Sequence, residues 1–211
     1  MAAAWYNERI MNELETAAPP EFEEVPHPEP VLPPAPLGQQ LFLFVVTAAV
    51  ILLDQFSKYI VEAALPLYQS YAPIPALEAL FRFTHATNTG AAFGIFPAGG
   101  SFFTIVAVVV GLVILYYNYT MPAGQMSLRL ALGMQLGGAL GNVIDRFRLG
   151  HVTDFLDFGP WPVFNLADTS IVAGVVILTW LMFKEQREHQ AEAALPASEV
   201  IEIADPSITH E

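Results

Sequence analysis

The chain has 211 residues, 54% of them hydrophobic and only 14% charged, with a formal net charge of −13. It is too apolar for an ordinary water-soluble domain and too acidic for a nucleic-acid binder, which needs a basic face. It has no cysteine, so thiolate catalysis, cysteine-ligated zinc and disulfides are excluded.

The charge sits at the two ends. Residues 1–38 hold seven Glu against one Arg, and residues 184–211 hold seven acids against two bases. The N-terminal stretch lacks a basic region followed by a short apolar core, so no cleaved signal peptide is expected there. Its run PPEFEEVPHPEPVLPPAPLG cannot bury enough apolar surface to offset ordering entropy, which predicts a disordered or extended tail. Four apolar segments follow, each near the ~20 residues that span a bilayer. They cover about 40–61, 101–119, 127–147 and 163–183. Between the first two lie some 40 residues carrying Pro66, Pro73, Pro75, Gly90, Gly94, Gly99 and Gly100. That is too long for a turn and predicts a small subdomain against the membrane surface.

The expected fold is therefore an all-α membrane protein with four transmembrane helices. A small extracytoplasmic β-like or amphipathic subdomain would lie between helices 1 and 2. The expected division is 1–38 as tail, 39–183 as membrane domain and 184–211 as a second acidic tail. Four crossings put both tails on one side. Arg9, Arg129, Lys184 and Arg187 there, against Arg82, Arg146 and Arg148 opposite, favour cytoplasmic tails by the positive-inside rule.

Polar residues in the spans carry the chemistry. Gly133, Gly137 and Gly141 recur every four residues, a register that lets helix backbones approach closely in lipid. Gly138, Asn142 and Asp145 share one helical face, and Asn165, Asp168 and Thr169 repeat the arrangement on the fourth segment. Asp168 falls within the apolar run 163–183, and a carboxylate in hydrocarbon marks a functional site by default. Arg146 adjoins Asp145, which predicts a pair closing the helix end. Asp157 reads as a solvated loop acid. None of the five His lies in an apolar span, so a serine nucleophile has no base there, and the H-E-x-x-H zinc motif is absent. His151, Asp154 and Asp157 are spaced as possible metal ligands, but the set is incomplete. Two carboxylates sharing one proton are the best-equipped pair: one takes a proton from water while the other donates to a scissile carbonyl. Position selects Asp168 as one member and leaves Asp145, Asp154 and Asp157 open as the other.

Five motifs then occur in order: DQFSK (Asp54 to Lys58), NTGAAFG (Asn88 to Gly94), GNVIDR (Gly141 to Arg146), HVTDF (His151 to Phe155) and FNLAD (Phe164 to Asp168). Together, over about residues 40–183, they resemble the lipoprotein signal peptidase (signal peptidase II) family of bacterial membrane aspartic proteases. The resemblance implies a catalytic dyad of Asp154 and Asp168. It implies that Asn142, Asp145, Arg146 and Asn165 surround the dyad and the bound lipopeptide, that Asn88 and Gly90 help cradle the substrate, and that Asp54 and Lys58 form a structural ion pair or helix-end anchor. The implied substrate is a prolipoprotein whose Cys already carries diacylglycerol, cut just before that Cys. Phe93, Phe155, Phe158, Trp161 and Phe164 would line apolar walls toward lipid. The implied enzyme uses no cofactor or metal, is blocked by globomycin-type cyclic peptides, and sits in the bacterial cytoplasmic (inner) membrane with its site toward the outer face. The fourteen-residue link from Asp154 to Asp168 is shorter than in many relatives. A proton-coupled carrier and a non-catalytic assembly factor are the alternatives. Against the carrier, the spans show no internal repeat and their polar residues cluster at one end.

Overall fold

The computed structural model describes residues 33–90 and 100–193. Helix α1 (Leu37–Ala64) is followed by strands β1 (Ser70–Tyr71) and β2 (Arg82–Asn88), with a short 3-10 turn at Pro75–Leu77 between them. Helices α2 (Gly100–Thr120) and α3 (Met126–Leu149), strand β3 (Val152–Asp157) and helix α4 (Leu166–Ala193) complete the order. The protein is mostly helical. Helices α1, α2 and α4 are long and apolar enough to cross a membrane. Helix α3 is of similar length but carries Arg129, Asp145, Arg146 and Arg148 among its glycines, and it does not meet that apolar standard.

The packing is inverted relative to a water-soluble domain. Leu52, Phe56, Val109, Leu112 and Val176 are exposed, whereas Asp54, Lys58, Arg129 and Asp145 are buried. An apolar solvent on the outside, with polar groups satisfied within the bundle, accounts for this distribution.

The helix ends follow local rules. Helix α1 stops where Leu65 turns extended (φ −122°, ψ 124°) ahead of Pro66, because a residue before proline is driven from the helical region. Helix α3 stops at Gly150 with φ 77°, a left-handed position that glycine occupies without a Cβ penalty. Helix α4 starts with a capping box. The Asp168 N–H donates to Asn165 Oδ1 at 2.9 Å, and the Asn165 N–H donates to Asp168 Oδ2 at 3.3 Å. Two orphan donors of the first turn are satisfied reciprocally. Asp168 therefore lies in the first turn of α4 rather than inside the span expected over 163–183. The far end differs too: α4 runs ten residues beyond Phe183.

Helix α3 is the centre of the bundle, packed chiefly against α1 and α4. Glycine makes this possible. A Cβ on Gly137 would come within 2.7 Å of Val50 Cβ and 2.9 Å of Thr47 O on α1, and one on Gly138 would overlap the carbonyl oxygen of Ala167 on α4.

The expected β-like element between helices 1 and 2 is a three-stranded antiparallel sheet, ordered β1-β2-β3. Its third strand comes from between α3 and α4, so the sheet joins both halves of the chain. Strand β2 pairs with β3 through Ala86↔Asp154 and Arg82↔Asp157, with an irregularity between Phe83 and Ala86. After β3 the chain turns at Gly159 (φ 68°), and Phe164 pairs back onto Leu156. The short link thus brings Asn165 directly beside β3.

Asp157 is buried, contrary to its reading as a solvated loop acid. Its Oδ2 accepts Arg82 Nε and Thr84 Oγ1, each at 2.7 Å, and its Oδ1 accepts the Gly159 N–H at 3.0 Å. Burial would raise this carboxyl, but those donors outweigh it and hold Asp157 below the usual carboxylate value.

Gly138→Ala should lower stability in detergent by about 1–3 kcal/mol, since overpacking a close helix contact forces the backbone apart. Gly38→Ala, with nothing within 4 Å, should leave the melting temperature unchanged. Because Asp157 binds its proton more weakly folded than unfolded, its contribution is present near neutral pH and is lost as pH falls through the depressed value. Asp157→Asn should therefore cost about 1–3 kcal/mol at pH 7 and show a shallower loss below pH 4 than the parent chain.

Candidate active site

Strand β3, the first turn of α4 and the last turns of α3 converge at one end of the bundle. Alternation along β3 sends neighbouring side chains to opposite faces. Asp154 meets Asn88 and Asn165, while Asp157 is held by Arg82 and Thr84. This separates the two acids that sequence spacing left as equals.

Asn165 touches both Asp154 and Asp168. Its Nδ2 donates to Asp154 Oδ1 at 2.7 Å, and its Oδ1 accepts the Asp168 N–H in the capping box. Asn88 Nδ2 donates to the other Asp154 oxygen at 3.1 Å. The Gly90 N–H donates to Asn88 Oδ1 at 3.0 Å, which fixes the sense of that amide and turns its nitrogen toward Asp154. On the other side, Asn142 Nδ2 donates to Asp168 Oδ1 at 2.7 Å. Three asparagines from β2, α3 and the start of α4 therefore orient two carboxylates. An amide suits this task because it presents a donor and an acceptor on one rigid plane.

The Asp154 carboxyl is pushed up to about 7, first by burial and then by the negative Asp168 nearby; donors Asn88 and Asn165 offset only part of this. Desolvation and a like charge both favour the protonated form.

Asp145 is not paired with the adjacent Arg146. It forms an ion pair with Lys58 at 2.6 Å, accepts Gln55 Nε2 at 2.8 Å and accepts the Thr153 N–H at 3.3 Å. The helical step between residues 145 and 146 separates their side chains by about 100°, so neighbours in sequence do not face each other. Arg146 donates to the Asn142 carbonyl at 3.4 Å and lines a cavity of about 560 Å³ that also borders Thr89, Gly100 and Thr104. Asp54 and Lys58 pair at 2.8 Å across one helical turn. Among the described residues no three metal-ligating groups gather at one point, and the His151, Asp154, Asp157 spacing does not assemble.

Gln55, Thr153 and Glu62 also belong to this network. Gln55 bonds Asp145 and also accepts Arg148 Nη1 at 3.1 Å. Thr153 Oγ1 donates to Glu62 at 2.6 Å and ties β3 to α1. Gln55 lies inside the DQFSK motif, the only advance signal for it. Of the expected aromatic wall, Phe155 is buried, Phe158 stacks on Phe164 with ring centroids 5.7 Å apart, and Trp161 is exposed. Phe93 lies outside the described residues.

The family model for signal peptidase (SPase) II matches residues 46–184. A lipoprotein signal peptidase of Halothermothrix orenii is 41% identical over 146 residues, covering 69% of this chain and 97% of that protein. One from Moorella thermoacetica is 42% identical over 150 residues, covering 71% and 98%. A bacterial membrane enzyme solved by the in meso method at 2.3 Å superposes with a TM-score of 0.64 at 29% identity, over 72% of this chain and 92% of that one. A second such structure, at 1.9 Å, gives 0.62 at 30% identity over 72% and 96%. The chain belongs to the signal peptidase II family, the aspartic-type lipoprotein signal peptidases.

Proposed function

We propose that Asp154 and Asp168 are the catalytic pair of this peptidase. It would remove the signal peptide from diacylglyceryl-modified prolipoproteins by cutting just before the lipidated Cys. The observation that carries the assignment is Asn165 bonding to both residues at once. Asp168, in the first turn of α4, takes the ionised role, because a helix N-terminus favours negative charge. Asp154 enters protonated. Water between them loses a proton to Asp168 as its oxygen attacks the scissile carbonyl carbon, and Asp154 donates its proton to the carbonyl oxygen. The resulting gem-diol collapses: the C–N bond breaks, a hydroxyl proton returns to Asp154, and the proton on Asp168 passes to the leaving amine of the lipidated Cys. Each acid ends in its starting state.

Asn88, Gly90, Asn142, Asp145, Arg146 and Asn165 would hold this pair and the substrate backbone, with Arg146 facing the adjoining cavity. We place all four helices across the bacterial inner membrane, with α3 carried by its packing between α1 and α4. The sheet would lie on the outer face with the site, and both termini would be cytoplasmic. The working division is a membrane domain at 39–183 between acidic tails at 1–38 and 184–211. Membrane lipids are expected partners. An apolar groove between α1 and the sheet, bordered by Ile60, Val61, Phe83 and Phe155, has the chemistry to take an acyl chain. Globomycin-type peptides are expected to occupy the dyad.

Asp154→Asn and Asp168→Asn should each cut processing of a purified diacylglyceryl precursor by at least about 10³-fold, because an acid–base pair acts as a unit, while each variant stays folded and inserted. A gel-shift assay reads this, and near-parental cleavage by either variant would exclude the assignment. If Asp154 donates a proton, the rate should fall as pH rises through about 7, because the deprotonated acid has nothing to give. A profile flat from pH 6 to 9 would remove it from that role.

A further inference from the structure

Lys58 is 2% exposed, and an ammonium has three N–H donors and no acceptor. It directs them at Asp54 Oδ2 (2.8 Å), Asp145 Oδ2 (2.6 Å) and Asn142 Oδ1 (3.0 Å). The third contact has consequences for the site. Only an oxygen can face a donor-only group, so Asn142 must turn its Oδ1 to Lys58 and its Nδ2 away, onto Asp168 Oδ1 at 2.7 Å. The same Oδ1 also accepts Asn165 Nδ2 at 3.1 Å. Flipping the Asn142 amide would set its NH₂ against the ammonium and against the Asn165 NH₂. It would also set its oxygen against the Asp168 carboxylate. The buried cation thus joins Asn165 Nδ2 and the Asp168 carboxylate in fixing the sense of the amide chain that reaches both acids.

We propose that Lys58 is a positioning residue for peptide cleavage: its ammonium locks the Asn142 amide with nitrogen toward Asp168, and so keeps that carboxylate aimed at the reacting water. This rests on the peptidase reading above and extends it, since an ion pair serving α1 alone would have no link to Asn142. Lys58 reaches the Asp168 carboxylate through Asn142 in two contacts, whereas its path through Asp54 ends on the Ala167 backbone N–H.

The test uses the full chain in detergent with a diacylglyceryl precursor peptide. Lys58→Met is made on an Asp145→Asn background, which removes one charge of each sign from the cluster. The same comparison on Asp54→Asn guards against a background that fails to fold. Each variant is measured against its own background. Lys58→Met should lower kcat per folded enzyme about tenfold to a hundredfold, the cost expected of a misplaced reacting group, with KM within about twofold. Asn142→Ala should lower kcat comparably, and the two changes together should cost no more than Asn142→Ala alone, because coupled residues are non-additive. The proposal is overturned if kcat survives Lys58→Met, if the two losses multiply, or if activity in every Lys58 variant falls only in step with folded protein. A parental chain that cleaves nothing would instead sink the peptidase reading, and this inference with it.

Discussion

The structure depends on one buried cluster, the Lys58 ammonium between Asp54 and Asp145. Each acid reaches further. Asp54 Oδ1 accepts the Ala167 N–H at 3.0 Å, which fixes the start of α4, and Asp145 accepts the Thr153 N–H, which fixes β3. Lys58, Asp54 and Asp145 thereby tie α1 and α3 to both elements that carry Asp168 and Asp154. A buried ion cluster is a poor source of net stability compared with a well-packed apolar core, but removing one member leaves an uncompensated charge at a cost of about 3–5 kcal/mol. Its value here is geometric. In a lipid-embedded bundle there is no water to satisfy a misplaced partner, so few alternative arrangements are tolerated.

The two acids stand in unlike settings, and that asymmetry is what acid–base work between two carboxyls needs. Asp168 belongs to the capping box that opens α4, where N–H groups converge. Asp154 is on a strand, buried, held by two neutral amides, and raised to about 7. The same β3 strand sends Phe155 and Asp157 to the other face, where they consolidate the sheet against β2. A six-residue strand therefore separates a structural acid from the proposed reacting one by parity alone.

Much of this was legible in the sequence. The four helical segments, the four-residue glycine register of α3 and the order of the five motifs all rest on local chemistry, which composition and spacing report well. What escaped depends on contacts between distant residues. Adjacency points from Asp145 to Arg146, yet the partner of Asp145 lies on α1. Asp157 looks solvated in its own loop because its partners Arg82 and Thr84 are more than seventy residues away. The apolar run 163–183 sets Asp168 inside a span, although N-L-A-D from Asn165 is a recognisable capping pattern. The stretch GHVTDFLDFGP reads as loop or strand, but its pairing with β2 leaves no local trace, because the two strands lie in separate links.

The proposed dyad joins a protonated carboxyl on Asp154 to an ionised one on Asp168 through Asn165. Infrared difference spectroscopy of the chain in lipid, stepped between pH 6 and pH 9, reads this directly. A protonated-carboxyl band should bleach across that step, be absent from Asp154→Asn and persist in Asp157→Asn. A spectrum with no such band, or a band that survives in Asp154→Asn, would contradict it.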